Sequence, residues 1–268
     1  MTYQADNDIL LSKLTDGILR LTLNDNKRRN ALSTEMLAQL SAALTEAADD
    51  VRVRVIVLAA NGPVFCSGHD LKEMTVARTK TDKGLEAYQK LFSACASVMQ
   101  QIVNNPKPVI AEVSSIATAA GCQLVASCDL AYSTKDALFA TPGVNIGLFC
   151  STPMVAVSRK IKRKPMMKML LTGEPIDAKY AKEVGLINEY YSKSNLNNEV
   201  LKIAKKISSK SNLTIKIGKQ AFYKQLEMPL RKAYAYTSKM MTLNMMAMDA
   251  KEGISAFLEK RKPKWKNK

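Results

Sequence analysis

The sequence predicts an α/β fold that ends in a helical region, and three observations support this prediction. Short apolar runs rich in β-branched residues alternate with longer stretches of helical periodicity in the first two thirds of the chain. From about residue 195 onward the strand signals vanish. The chain has 268 residues, 47% of them hydrophobic, which is enough for a substantial core. The order strand, helix, strand, helix implies right-handed crossovers.

Three segments carry strand signals. Residues 9–24 form two alternating apolar runs joined at Asp16-Gly17, a dipeptide typical of a tight hairpin. Residues 53–60 and 108–113 are short β-branched runs of the kind found in buried strands. Each of these two runs leads into a loop of small residues, so the chain is expected to come close to other groups there.

Helices are predicted between and after these strands. One is expected over residues 33–48, where Ser33 provides a capping hydroxyl, and another over residues 84–104. Three further stretches beyond residue 195 have helical periodicity, and Pro229 suits the first turn of one of them. The sequence therefore divides into an expected core over 1–194 and a helical oligomerisation region over 195–268.

The C-terminal helices carry more apolar residues than a monomer needs to bury. A stripe formed by four methionines is interpreted as packing surface and not as a ligand site. It comprises Met240, Met241, Met245 and Met248. We expect these apolar faces to contact other copies of the chain.

Cysteine usage and the N-terminus bear on location and metal chemistry. The five cysteines form no CxxC pair and no zinc spacing, so we expect reduced thiols and no metal site. The first 17 residues lack a basic segment followed by an apolar run, and no apolar run approaches membrane length. The sequence alone therefore predicts a cytoplasmic protein with no membrane partner.

The net charge of +16 is unevenly placed along the chain. Residues 1–157 hold 14 Lys and Arg against 15 Asp and Glu, whereas residues 158–268 hold 26 against 9. A basic field of this kind favours a polyanionic partner, such as a phosphorylated cofactor, a nucleic acid or an anionic membrane. A solvated lysine-rich surface explains the same composition.

Two loops of small residues are the best candidates for chemistry. They cover residues 61–74, "NGPVFCSGHDLKEM", and residues 114–129, "SSIATAAGCQLVASCD". Small residues let the backbone approach a ligand, and a helix starting near Ala120 would aim unpaired N–H groups at it. Two such donors that converge on one point form an oxyanion hole, worth several kcal/mol when an acyl oxygen gains charge.

At these residues the chain resembles the crotonase superfamily, the enoyl-CoA hydratase/isomerase family. "NDNKRRNALS" (24–33) is similar to its first CoA-contacting segment, and "FCSGHDLKEM" to its first oxyanion loop. "AAGCQLVASCDLAYST" is similar to its second oxyanion loop and helix, and "LLTGEPIDAKYAKEVGLIN" (170–188) to a later signature. The resemblance implies the ClpP/crotonase-like spiral of ββα units and trimers, alone or paired into hexamers. "ATAAGCQLVASCD" and "TPGVNIGLFCSTP" most closely resemble one branch of the superfamily.

The resemblance also assigns roles to residues. The backbone N–H groups of His69 and Ala120 would hold the oxygen of an acyl-CoA thioester, with coenzyme A as part of the substrate and no permanently bound cofactor. Contacts with substrate and CoA are expected from four segments and from a C-terminal tail that reaches a neighbouring subunit. These residues are Lys27, Arg28, Ala31, Ser67, Gly68, Asp70, Leu71, Gly121, Phe149, Cys150, Lys260 and Trp265.

Two positions depart from the pattern of the family's hydratases. Those enzymes use two glutamates, which the resemblance places at Gln123 and Gly143. An amide cannot accept and return a proton as a carboxylate does, and glycine has no side chain. We therefore expect ordinary hydratase activity to be weak or absent. Ser115 and Ala119 also stand where many relatives have glycine.

Three hypotheses for function stay open. The first is an acyl-CoA lyase or isomerase of non-standard mechanism, whose proton moves through water, the His69 ring, the substrate, or an acid such as Glu73 or Glu86. A decarboxylation would need no base, because loss of CO₂ itself generates the enolate. The second is a non-catalytic protein that binds acyl-CoA or a protein partner.

The third hypothesis is RNA binding, as in one branch of the superfamily that uses lysines on an early surface helix. The corresponding stretch here, residues 33–50, has no lysine and four acids. Because phosphate contacts dominate affinity for nucleic acid, this stretch argues against an RNA partner.

Overall fold

The computed structural model describes residues 9–268, so the first half of the N-terminal segment used to predict location lies outside the described residues. Two sheets and the helices around them form the core. The strands are β1 Leu10–Thr15, β2 Ile18–Leu23, β3 Val55–Ala60, β4 Val64–Cys66, β5 Val109–Val113, β6 Ile116–Thr118, β7 Leu130–Thr134, β8 Leu138–Ala140, β9 Ile176–Asp177 and β10 Glu189–Tyr191.

The helices occupy the predicted segments and several others. They are α1 Thr34–Asp49, α2 Leu71–Arg78, α3 Leu85–Asn104, α4 Ala120–Ser127, α5 Ser151–Val157, α6 Arg163–Thr172, α7 Ala178–Glu183, α8 Leu196–Ser208, α9 Asn212–Leu226, α10 Leu230–Met245 and α11 Met248–Leu258. The Ser33 hydroxyl accepts a hydrogen bond from the Met36 N–H and so caps α1, as expected.

The larger sheet has the order β1-β2-β3-β5-β7-β10, and the smaller sheet has the order β4-β6-β8-β9. The β1–β2 hairpin turns at Asp16 and Gly17, whose φ angles of 51° and 78° are those of a type I′ turn. Beyond this hairpin every pairing in the larger sheet is parallel. The α/β class is therefore confirmed.

The chain builds the two sheets alternately. Each of β3, β5 and β7 enters the larger sheet, and the next strand, β4, β6 or β8, enters the smaller one before a helix follows. This repetition is the expected spiral of ββα units. It brings the ends of β4 and β6 side by side, since these two strands pair in parallel.

Helix α4 lies in the middle of this arrangement, and all eight of its residues are buried. Helix α8 packs on the larger sheet, where Leu196, Val200 and Ala204 join one apolar cluster with Val55 and Ile110. The residues that follow position 195 therefore pack directly against the sheet formed by the residues that precede it. The division of the protein there into a core and an oligomerisation region stays a prediction.

Helices α9, α10 and α11 leave many apolar side chains in solvent. The exposed ones include Phe222, Leu226, Leu230, Tyr234, Met241, Leu243, Met245, Met248, Ile254, Phe257 and Leu258. Within residues 9–268, none of the helices is long and apolar enough to cross a membrane.

Candidate active site

The two loops singled out in the sequence meet at one edge of the smaller sheet. The first follows β4 and leads into α2, and the second follows β6 and leads into α4. Two glycines allow the contact. A Cβ atom at Gly68 would lie 3.0 Å from the Ala119 Cβ and 3.5 Å from the Ala120 nitrogen, and one at Gly121 would lie 2.3 Å from the Cys66 carbonyl oxygen.

Two backbone donors at this junction are free. Among the described residues, no acceptor takes a hydrogen bond from the N–H of His69 or of Ala120. Ala120 is the first residue of α4, and the preceding Ala119 provides no side-chain cap, so the positive end of the helix is open here. Free donors at a helix N-terminus are suited to binding an oxygen that carries negative charge.

Ala119 holds this corner in a strained conformation. Its φ of 50° and ψ of −117° lie in a region that glycine adopts readily and alanine does not. Its own N–H donates to the Ala140 carbonyl at 2.9 Å, which ties the corner to β8. Strain of this kind costs about 1–3 kcal/mol and persists where the surrounding contacts fix the backbone.

The His69 ring is fixed in one tautomer beside the junction. Its Nδ1 lies 3.2 Å from the Leu32 carbonyl oxygen, which can only accept, so Nδ1 carries the proton. Phe92 of α3 meets the ring edge-on, with the centroids 5.4 Å apart. The Nε2 atom is buried and has no hydrogen-bond partner. Burial lowers the pKa of His69 from its ordinary value, while the Leu32 carbonyl and the Glu73 charge oppose this shift.

Gln123 lies on the buried α4 helix and is 4% exposed. Its side-chain oxygen is 3.9 Å from the Cys95 sulfur of α3, a weak hydrogen bond from the thiol. Burial raises the pKa of Cys95 to about 12, so this neighbour is a neutral thiol. Neither group is a proton carrier at neutral pH.

Gly143 lies in a short 3-10 helix, Pro142–Ile146, at a place closed to any side chain. An added Cβ would lie 2.7 Å from the Leu148 carbonyl oxygen and 3.0 Å from the Cys150 sulfur. The Gly143 N–H donates to that sulfur at 3.4 Å. Cys150 itself is buried, whereas the adjacent Phe149 is exposed. Burial raises the pKa of the Cys150 thiol, and the hydrogen bond from the Gly143 N–H opposes this shift.

The segment proposed for CoA contacts lies against the first loop. The Leu32 N–H donates to the Gly68 carbonyl at 2.7 Å, and the Ser67 N–H to the Arg29 carbonyl at 3.2 Å. Lys27 is exposed, and Ala31 is buried.

Arg28 is held by carboxylates of its own chain. It pairs with Asp25, with Glu35 at 3.3 Å and with Glu73 at 3.6 Å. Its charge is therefore compensated without a ligand, which leaves Lys27 as the exposed cation of the predicted pair. Glu73 also accepts from the Thr34 N–H and hydroxyl.

The remaining predicted residues have structural partners as well. Asp70 caps α2 by accepting from the N–H groups of Lys72 and Glu73, whereas Leu71 is exposed. Glu86, predicted as an alternative acid, is exposed and paired with Lys90 at 2.6 Å.

The C-terminal tail is folded onto its own chain. The Trp265 indole N–H donates to the Ser209 carbonyl at 2.8 Å, and its ring lies against Gly253. Buried Asp249 accepts from the backbone N–H groups of Lys266 and Asn267. Lys260 precedes this anchored stretch and is exposed. The expected contact of Lys260 and Trp265 with a neighbouring subunit stays a prediction.

Some neighbours of the site could not be singled out from the sequence. In α3, Cys95 contacts Gln123 and Phe92 contacts the His69 ring. The buried hydroxyl of Thr141, close to Gly143, has no hydrogen-bond partner among the described residues. The helical periodicity of α3 places Cys95 on its buried face, which was the available signal. Nothing local marks Thr141. Among the residues that the structure describes, no three His, Cys, Asp or Glu side chains are grouped as metal ligands.

Comparison with known proteins gives consistent results. A family model described as enoyl-CoA hydratase/isomerase matches residues 13–268. The mouse protein named enoyl-CoA hydratase domain-containing protein 3, mitochondrial, is 48% identical over 262 residues, covering 98% of this chain and 86% of its own.

Two solved structures agree with this result. The human enoyl Coenzyme A hydratase domain-containing protein 3 has a TM-score of 0.92 at 46% identity, covering 96% of this chain and all of that one. An enoyl-CoA hydratase from Mycobacterium smegmatis has a TM-score of 0.93 at 48% identity, covering 97% and 99%. The branch indicated by residues 117–129 and 141–153 is thus that of enoyl-CoA hydratase domain-containing protein 3.

The predicted cytoplasmic location is wrong on this comparison. The relatives from mouse, human and rat are each named as mitochondrial. The prediction depended on the composition of the first 17 residues, whereas the relatives are matched through the folded chain. Composition of the N-terminus was therefore a poor guide to where proteins of this kind reside.

Proposed function

The chain belongs to the enoyl-CoA hydratase/isomerase family, and from that premise we propose that it binds an acyl-CoA thioester and polarises its carbonyl group. The N–H groups of His69 and Ala120 would hold the thioester oxygen. One observation supports this most directly: both donors are free and lie where the loops after β4 and β6 touch. A role for backbone donors is independent of the side chains at these positions.

Polarisation of this kind lowers the barrier to any reaction that passes through a thioester enolate. Charge builds on the carbonyl oxygen as the enolate forms, and preorganised donors bind that oxygen more strongly than the neutral carbonyl. Loss of one donor from an oxyanion hole costs about 100-fold to 1,000-fold in rate. The proposed function is thus a lyase or isomerase reaction of a CoA ester.

Ordinary hydration is expected to be weak. By the family pattern, the two acids of the hydratases would lie at positions 123 and 143. A buried amide occupies the first, and the Leu148 carbonyl and Cys150 close the second. Addition of water needs a group that activates the water and one that protonates carbon, and these positions supply neither.

Contacts with CoA follow from exposure and charge. Lys27 is an exposed cation beside the first loop, so we assign it to the CoA phosphates. Arg28 orders the segment through its three carboxylate partners. Lys260 would serve a neighbouring subunit, since the apolar faces of α9 to α11 are exposed as in a chain that forms trimers or dimers of trimers.

A second candidate is a protein that binds acyl-CoA without turning it over. The closure at Gly143 and the amide at Gln123 favour it. The two candidates share the binding step and differ only in chemistry. Turnover therefore separates them.

The test combines binding with turnover. Calorimetry with butyryl-CoA measures affinity, and assays with crotonyl-CoA, 3-butenoyl-CoA and methylmalonyl-CoA measure conversion. We expect binding and slow conversion of at least one ester. Replacing Ala120 with proline, which removes one N–H at a helix position that tolerates proline, should lower conversion by about 100-fold or more.

Proline at position 120 also restricts the backbone conformation of Ala119, so the variant changes more than one N–H group. A measurement on the unaltered protein therefore accompanies it. The carbonyl stretch of bound butyryl-CoA should shift to lower frequency than in water, since two donors polarise it. An unshifted band, or no heat of binding, would contradict the proposed function. Binding with a shifted band and no conversion of any ester would establish the non-catalytic candidate.

Restoring the acids one at a time should have unequal consequences. Gln123→Glu is expected to fold and to raise crotonyl-CoA hydration by less than about tenfold, because the second group is still missing. Gly143→Glu should destabilise the protein by about 3 kcal/mol or more, because its Cβ would overlap the Leu148 carbonyl. Urea unfolding and the loss of enoyl absorbance measure the two effects. Strong hydration by Gln123→Glu alone would refute this account.

A further inference from the structure

The Nε2 atom of His69 is a buried acceptor without a partner. Leaving such an atom unsatisfied costs about 1–3 kcal/mol, so it calls for an explanation beyond packing. The rest of the side chain is well held: Nδ1 donates to the Leu32 carbonyl, and Phe92 packs against the ring. The ring is thus positioned with one lone pair left free.

The protonation state of the ring suits a base. Its tautomer places the only ring proton on Nδ1, because that atom faces a carbonyl oxygen. Burial lowers the pKa of His69, so the neutral form is present at neutral pH.

The ring belongs to one of the two residues that form the proposed oxyanion hole. The N–H of the same residue is the proposed donor to the thioester oxygen, and the α carbon of the acyl group is two bonds from that oxygen. The neighbouring side chains offer no other proton carrier: Gln123 is an amide, and Cys95 has a pKa of about 12. Glu73 is occupied by Arg28 and by Thr34.

We propose that the His69 imidazole is the proton carrier of this site and that it acts on β,γ-unsaturated acyl-CoA esters. Nε2 takes a proton from the α carbon, the C–H electron pair forms the enolate whose oxygen the two N–H groups hold, and Nδ1–H stays in place. The imidazolium then returns the proton from Nε2 to the γ carbon. The product is the α,β-unsaturated ester, and no atom is gained or lost.

This reaction fits a site with a single base. One group that removes and returns one proton suffices for isomerisation, whereas hydration needs two coordinated transfers. The inference rests on the proposed binding of acyl-CoA, since the oxyanion donors must hold the ester. It differs from that proposal by requiring the side chain of His69 and not only its backbone.

The test uses hydrogen exchange at the α carbon. Butyryl-CoA in D₂O cannot isomerise, yet its α protons exchange if a base removes them, and nuclear magnetic resonance follows their loss. In the His69→Asn variant the amide nitrogen can still donate to the Leu32 carbonyl and the backbone N–H is kept, but no base remains. We expect exchange to fall by about 100-fold or more, with butyryl-CoA affinity within about threefold of the unaltered protein.

A second variant and a pH profile are measured as well, so that a poorly folded asparagine variant does not leave the test without a result. His69→Gln should lose exchange in the same way if the asparagine variant folds poorly. In the unaltered protein the exchange rate should fall as pH drops through the lowered pKa of His69, since protonated imidazole is no base. The charged group that acts on this ring is Glu73 of α2, which is itself paired with Arg28, and Cys95 on α3 stays neutral.

The outcomes are distinguishable. Exchange that depends on His69 and on this titration, together with conversion of 3-butenoyl-CoA, supports the inference. Binding without exchange, or exchange that persists in both variants, overturns it and leaves the binding proposal intact. If butyryl-CoA gives no heat of binding, the proposed function itself fails.

Discussion

Gly121→Ala is expected to destabilise the folded protein by about 3 kcal/mol or more, although alanine is normally the better helix former. The added Cβ would lie 2.3 Å from the Cys66 carbonyl oxygen and 2.8 Å from the Cys66 Cβ. Both atoms belong to Cys66 of β4, and the smaller sheet fixes the position of this strand. Relief by moving α4 is costly, because every residue of that helix is buried and closely packed.

The same substitution should also separate the two proposed oxyanion donors. Gly121 directly follows Ala120, and pushing the start of α4 away from β4 moves the Ala120 N–H relative to the first loop. We therefore expect any conversion of an acyl-CoA ester to fall further than binding does. Urea unfolding and steady-state assays of the folded fraction measure the two effects.

A matched control exists on the same chain. Gly218 is also in a helix interior, in α9, but an added Cβ there meets nothing within 4 Å. Gly218→Ala should therefore stabilise the protein by about 0.5–1 kcal/mol. Equal behaviour of the two alanine variants would show that close approach to Cys66 is not what requires glycine at position 121.

Four of the six strands of the larger sheet, β1, β2, β3 and β5, and the long helices could be predicted because their signals are local. β3 and β5 are six and five residues long and have three β-branched side chains each, and α1 and α3 carry regular apolar stripes. The smaller sheet was not predicted. Its strands β4, β6 and β8 have three residues each, too few for an alternating pattern, and they pair only because the spiral brings distant segments together.

The candidate site divides in the same way. The two small-residue loops and the start of α4 follow from the sequence, because glycine and alanine at a strand end permit close approach. The closure at Gly143 does not follow from it, since the Leu148 carbonyl and Cys150 fold back from further along the chain. The paired state of Arg28 likewise depends on Glu73, which lies 45 positions away. Contacts between distant segments decide these features.

The unpaired Nε2 of His69 shows why a residue type alone does not establish a role. The sequence contains one histidine, and the residue type alone does not say whether its ring is catalytic or only packs. The Leu32 carbonyl selects the tautomer and burial keeps the ring neutral. Only the surroundings of the ring turn it into a candidate base.

Replacing Lys219 with methionine is expected to cost about 3–5 kcal/mol of stability. The Lys219 side chain is 6% exposed, and its ammonium lies 2.7 Å from the Asp129 carboxylate. It also donates to the carbonyls of Ile102 and Lys107, each at 3.0 Å. Methionine matches the length of the lysine stem but leaves a partly buried carboxylate without its cation and two carbonyls without their donor.

The loss should act mainly on the attachment of the C-terminal helices. Lys219 lies on α9, and its three partners lie at the ends of α3, β5 and β7, so the cluster joins the helical region to the core. Tyr223, also of α9, donates to the same Asp129 carboxylate at 2.9 Å. We expect faster proteolysis within α9 to α11 before the core unfolds.

Two further variants identify the buried charge as the cause. Lys216→Met removes an exposed lysine from the same helix and should change stability by no more than about 0.5 kcal/mol. Combining Lys219→Met with Asp129→Asn removes both charges, while the new amide oxygen can still accept from the Val109 N–H and the amide nitrogen can donate to the Tyr223 hydroxyl. The double variant should therefore be more stable than Lys219→Met alone, because no unpaired charge stays buried. If the double variant is instead the less stable of the two, the hydrogen bonds that the Asp129 carboxylate accepts from Val109 and Tyr223 outweigh the cost of its unpaired charge.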